Sequence, residues 1–210
     1  MLTRSDVVLK MAYIAWMTND IRLREELCTY LPALESYNRA SYIGIVLPRT
    51  ESKVEQEYVL QSLGDRSADI RDEAYKVLSE MSLSPEQYQH IEELLRFKYS
   101  EMRINAINLL MKQPEAQLAA SIRRLLSDKN AERCLAGLDM MKSIRNVDFL
   151  KDSYQKLLST VREIQKPNAK EKILIESLIG DGTEQSPTSN YTRENGFGLY
   201  DPALEVSLPP

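Results

Sequence analysis

A chain of 210 residues with 43% apolar and 28% charged side chains can bury a core, which sets it apart from disordered polymers. No apolar run reaches the ~18 residues that a membrane span needs. Two cysteines, Cys28 and Cys134, are too few for a disulfide framework, so reduced thiols in a cytoplasmic setting are expected. The formal charge of −4 is unevenly placed: residues 181–210 hold five of the 31 acids and one of the 27 bases, leaving 26 of each in the body. A neutral body argues against a broad nucleic-acid-binding surface.

The first segment, MLTRSDVVLKMAYIAWMTND, has an apolar patch interrupted or flanked by Asp6, Lys10 and Asp20 and lacks a small-residue cleavage site, so it does not read as a leader. Leu2–Met17 and Ile21–Leu34 predict an opening pair of helices. Asn38-Arg39-Ala40 with Ile43 and Leu47 predicts a third helix from a weaker pattern, and Val54–Leu63 a fourth.

From residue 69 the text begins to repeat. DIRDEAYKVL (69–78) returns as EMRINAINLL (101–110), and Ala74, Ala106 and Ala136 stand 32 and 30 residues apart. Each has an arginine three positions earlier (Arg71, Arg103, Arg133) and a large apolar residue four positions later (Leu78, Leu110, Met140). A second phrase, IEELL at 91, IRRLL at 122 and YQKLL at 154, recurs 31 and then 32 residues apart. Fixed periods of this size mark stacked two-helix units. Ile70, Ala74, Val77, Leu78 and Met81 make one apolar stripe at helical spacing. Ser84-Pro85-Glu86 places a capping serine before a proline suited to a first helical turn, and Gln113-Pro114-Glu115 repeats the proline and acid. In the third unit Asn146-Val147-Asp148 takes that place. There Glu132 also stands where Ile70 and Met102 stood, which predicts a stripe rotated toward Leu135 and Leu138.

Acid-x-Arg-x-x-Ala-x-x-x-Leu followed by a second leucine-rich helix resembles HEAT-type repeats, and most closely the short-period kind of phycobilin-lyase HEAT repeats. Asp69-Ile70-Arg71 with Ala74 and Leu78, and Glu101-Met102-Arg103 with Ala106 and Leu110, match; Ala131-Glu132-Arg133 shifts the acid by one place. The resemblance covers about residues 64–160. It implies an all-α fold, a right-handed α-α superhelix (a HEAT-like, armadillo-type solenoid) of about five helix pairs, over residues 1–180. The later phrase NGFGLYDPALEVSL (195–208) resembles large bacterial multidomain proteins in which a helical-repeat region precedes a domain of uncharacterised function, so the chain is expected to be the repeat region of such a protein. In such superhelices the second helices line the concave face, which here carries Arg96, Arg123, Arg124 and Lys156 as a candidate binding set, among acids Glu92, Glu93 and Asp152.

Ala169–Ile179 predicts one more helix, entered through Pro167-Asn168 and stopped by Gly180-Asp181-Gly182. Residues 181–210 read as an irregular acidic tail or the start of a following segment. Its apolar residues, Phe197, Leu199, Tyr200, Leu204 and Val206, suggest that 195–206 docks in extended form on the body or on a neighbouring molecule.

Candidate chemistry is sparse. His90, the only histidine, aligns with Ser121 and Ser153 and reads as a helix-face residue. Cys134 beside Arg133 reads as an inert buried thiol rather than a nucleophile. There is no phosphate-binding glycine loop and no EF-hand spacing, so no catalytic residue, metal ligand or cofactor is expected. The arginine ladder reads as ion pairs between units. The leading expectation is a non-catalytic scaffold for a protein or peptide partner, in no association with a membrane. The alternative is a DNA-binding protein of the alkylpurine DNA glycosylase type, also built on HEAT-like repeats. That type demands a basic groove with tryptophans and a catalytic aspartate, whereas Trp16, the only tryptophan, lies outside the repeats.

Overall fold

A computed structural model describes residues 3–48, 50–98 and 100–180, and the tail-docking expectation for 195–206 lies outside them. The chain divides into a unit of residues 1–178, which holds the hydrophobic core, and a second of 179–210. The described residues are all-helical, with no strand. The helices are α1 (Arg4–Thr18), α2 (Ile21–Cys28), α3 (Ser36–Val46), α4 (Lys53–Ser62), α5 (Ala68–Glu80), α6 (Pro85–Leu94), α7 (Ser100–Leu110), α8 (Glu115–Leu126), α9 (Ala131–Ile144), α10 (Lys151–Arg162) and α11 (Ala169–Ile179). None is long and apolar enough to cross a membrane.

Local chemistry sets the boundaries. Thr3 and Asp6 close a capping box on α1, with Asp6 N donating to Thr3 Oγ1 at 3.2 Å and Thr3 N to Asp6 Oδ2 at 2.8 Å. Asn19 ends that helix in the left-handed region, φ 49°, a conformation asparagine tolerates. The predicted Ile21–Leu34 helix stops at Cys28, and a separate 3-10 turn over Leu31–Ala33 carries Pro32, whose missing N–H cannot extend an α-helix. Ser84 and Gln87 box α6 with Pro85 in its first turn. In the later units Asn130 caps α9 through the N–H groups of Glu132 and Arg133. At 146–150 the degenerate turn winds as a 3-10 turn, Asp148–Leu150, straight into α10.

Packing alternates. Helices α1, α3, α5, α7 and α9 form one succession of neighbours, and α2, α4, α6, α8 and α10 a second. A single hydrophobic cluster runs from Val8 to Leu178. Ala74, Ala106 and Ala136 are all buried in it, as are Ile70, Val77 and Leu78. In α9 the stripe has turned as Glu132 requires: Leu135 and Leu138 are buried, and Glu132 itself is half-buried. Gly137 lets α9 approach α8 closely, since a Cβ there would stand 3.1 Å from both Leu125 Cβ and Leu126 N.

The arginines are committed to acids and carbonyls. Arg71 reaches Glu101 at 3.2 Å and the carbonyls of Asp65 and Arg66; Arg103 reaches Asp139 at 2.6 Å and the carbonyl of Glu132; Arg133 reaches Asp128 at 2.9 Å and Glu93 at 3.2 Å. The ladder begins one unit earlier than the repeated phrases suggest, because Arg39, 32 residues before Arg71, pairs with Asp65 at 3.0 Å. Three residues beyond Arg39, where the later units have alanine, stands Tyr42. It is buried, and its hydroxyl has no hydrogen-bond partner among the described residues.

Candidate interaction site

The succession of odd-numbered helices is closed between α3 and α5 and open between α1 and α3. A cleft of about 710 Å³ lies there, walled by Leu9, Tyr13 and Trp16 of α1 and by Asn38, Tyr42 and Ile45 of α3, with Ala12 and Ser41 also lining it. Apart from Lys10, the lining is uncharged and mostly apolar. The rings of Tyr13 and Trp16 pack against each other in a tilted pair, centroids 5.9 Å apart. Helix α1 is responsible for this character. Its buried side is a row of small residues, Val8, Ala12 and Ala15, while Tyr13, Trp16 and Met17 remain 60, 47 and 62% exposed. Ile45 of α3, on the facing wall, is 65% exposed.

Trp16, Ile45 and Val46 are shared with a second cavity of about 620 Å³, whose polar side is a buried network. Glu55 of α4 is fully buried and accepts from Arg24 of α2 at both oxygens, from Nε at 2.8 Å and from Nη2 at 2.7 Å. Thr50 Oγ1 donates to the same carboxylate. Arg24 Nη1 donates to Asn19 Oδ1 at 2.6 Å, so the residue that ends α1 is joined to the pair. The loop is held by Ser52, which caps α4 and donates to Glu25 at 2.6 Å. An ion pair of this depth survives only because every charge has a close partner. It fixes α2 against α4 beneath the open α1–α3 junction.

The nearest reactive group, Cys28, is disarmed: burial, reinforced by the charge of Glu55, pushes its thiol up to about 12. Burial likewise raises Tyr58 to about 12, and Tyr42 further still. Cys134 is raised to about 11 by burial and by Glu171, in keeping with an unreactive thiol. His90 sits half-buried on α6, in another unit. No cluster of metal-ligating side chains occurs among the described residues.

The four cations expected on the second helices have different surroundings. Arg124, in the last turn of α8, is spoken for: it holds the buried carboxylate of Glu92 through Nη2 at 2.6 Å and Nε at 3.1 Å, and this hydrogen bonding raises its pKa. Glu92, expected among these cations on the candidate binding face, is instead buried. Arg96, just past α6, lies over the Phe97 ring at 4.9 Å. Arg123 of α8 and Lys156 of α10 are exposed and make no ion pair among the described residues. The cleft and the Arg24–Glu55 network were not legible in the sequence. The available signal was in α1, where apolar residues occupy positions 7, 9, 14, 16 and 17 as well as the buried row.

The whole chain, residues 1–210, matches the model of a family described as a family of unknown function (DUF5724), and the protein belongs to that family. No curated protein and no solved structure matches it.

Proposed function

We propose that the protein is a non-catalytic interaction module, a right-handed solenoid of HEAT-like repeats that receives an apolar surface of another protein at the α1–α3 cleft. The period near 31 residues, the buried alanine anchors and the two alternating successions of helices support the repeat reading. The cleft carries the functional reading: about 710 Å³, mostly apolar, rimmed by exposed aromatic residues and continuous with a polar cavity. An apolar concavity with a few fixed polar groups at one end is the usual form of a binding site. General acid–base chemistry needs a group poised near the working pH, and the Cys28 thiol and the Tyr42 and Tyr58 hydroxyls are driven far from it. In this reading Arg124 stiffens the α6–α8 contact, and Arg96, Arg123 and Lys156 form a second, solvated surface.

The neutral dye Nile red tests the cleft directly. At protein concentrations low enough to keep the chain monomeric, the native chain is expected to bind it with blue-shifted emission, and Ser41→Arg, which adds a cation to the cleft, to lose most of that binding without a change in melting temperature. Equal binding by both proteins would remove the cleft as a site.

A further inference from the structure

Helix α1 carries more apolar surface than the unit behind it can cover. A surface helix turns a polar face to water, and a helix that is apolar on all sides is normally buried. Here Val8, Ala12 and Ala15 face the core while Leu9, Tyr13, Ile14, Trp16 and Met17 stand exposed. Only two charges interrupt the outer side of the helix beyond its first residue, and their placement is informative. Asp6, Lys10, Tyr13 and Met17 follow one another at intervals of 4, 3 and 4 residues, the spacing of a helix-pairing seam.

We propose that a second copy of this chain covers this face, with the two α1 helices packed antiparallel about a two-fold axis and each laid along the α1–α3 cleft of the other. The proposal rests on the interaction reading of that cleft and names the partner. Two observations select a like copy. The first is area: Leu9, Tyr13, Ile14, Trp16, Met17 and Ile45, exposed by 42 to 65%, present on the order of 700 Å² per copy, close to the roughly 800 Å² each partner gives to a standard interface. The second is charge. A parallel pairing sets Lys10 against Lys10. An antiparallel pairing centred between Met11 and Ala12 sets Lys10 against Tyr13 of the other copy, twice, so that each ammonium meets a ring face, and Asp6 against Met17. The same patch then serves both subunits, as an isologous contact requires, and the two helix dipoles run opposed.

Sedimentation velocity of the 210-residue chain across the micromolar range, with light scattering for mass, is the test. A concentration-dependent species of twice the monomer mass is expected, together with its loss in Tyr13→Lys, which faces Lys10 of the other copy, and in Met17→Glu, which faces Asp6, each melting no lower than the dissociated native chain. Lys10→Glu is expected to weaken the dimer at least tenfold, whereas Lys10→Arg, which keeps the cation over the ring, retains it. A dimer that persists in both disruptive variants uses another surface, and the proposal is overturned. A chain that stays monomeric while Nile red still fills the native cleft, and not that of Ser41→Arg, overturns the second copy and leaves the interaction reading standing. A monomer whose dye binding ignores Ser41→Arg removes both.

Discussion

Helix α3 has two neighbours in its layer and treats them differently. Toward α5 the junction is closed: Gly44 comes so near Glu73 that a Cβ would collide with the carboxylate, Ile43 is fully buried, and Arg39 reaches across to Asp65. Toward α1 the junction gapes, lined by Tyr42, Ile45 and the rings of α1. Small residues and an arginine–acid rung draw helices together; large side chains without a rung hold them apart. The open junction is supported from below, because α2 and α4 are joined by the buried Arg24–Glu55 pair. Stability and an exposed apolar cleft therefore coexist in one unit.

The largest expected effect comes from removing that support. Arg24→Ala leaves a fully buried carboxylate without its cation, a loss of about 3–5 kcal/mol by the usual cost of breaking a buried pair. Chemical denaturation measures it. Arg124→Ala is the companion: Glu92 is also buried, but Arg124 is 45% exposed, so water can replace part of what is lost. A smaller loss of roughly 1.5–3 kcal/mol is expected there. Equal losses would mean that the first pair is no more sequestered than the later one.

Among the closely packed later helices the buried alanine is the sensitive point. Ala106 is buried beside Leu63, Leu94 and Met102, and Ala106→Leu is expected to overpack that contact at about 1–3 kcal/mol. An unchanged melting temperature would place the anchor in the wrong register. Tyr42, at the equivalent place in the first unit, is the natural contrast.

These residues also divide what the sequence discloses from what it hides. The stripe of Ile70, Ala74, Val77 and Leu78, the Ser84-Pro85 start of α6 and the Ala169–Ile179 bounds of α11 are local, each decided within a few residues by periodicity or capping chemistry. The buried carboxylates are not local. Glu55 and Glu92 look like solvated helix residues until arginines 31 and 32 residues away are brought to them. The cleft is further removed still, since it depends on how far apart two helices stand, which no periodic pattern states.

A pH profile tests the buried groups around that cleft. Cys28, Tyr42 and Tyr58 have folded pKa values raised by burial, so each contributes stability that is whole below its unfolded value and is lost as pH rises toward the folded one. The unfolded thiol ionises near pH 8.5 and tyrosine near 10. Stability is therefore expected to be flat through neutrality and to fall from about pH 9 upward. Tyrosinate absorbance should appear for these side chains only as the chain unfolds. Native reaction of either cysteine with a thiol reagent near neutral pH would contradict the burial that raises them.

The smallest expected effect is the sharpest on the two junctions, because it compares two isoleucines of one helix. Ile43 faces the closed side and is fully buried; Ile45, two residues on, faces the open cleft and is 65% exposed. Ile43→Ala removes buried methylene groups and leaves a cavity, at about 2–5 kcal/mol. Ile45→Ala removes the same atoms from a side chain that water already reaches, and its effect on monomer stability is expected to stay within about 0.5 kcal/mol. It should nevertheless reduce Nile red binding, since Ile45 walls both cavities. Measured at low micromolar concentration, where association adds least to apparent stability, the two variants isolate the difference between the faces of α3. If Ile45→Ala destabilises the monomer as much as Ile43→Ala, then the cleft is closed in solution and α1 packs on α3 as α5 does.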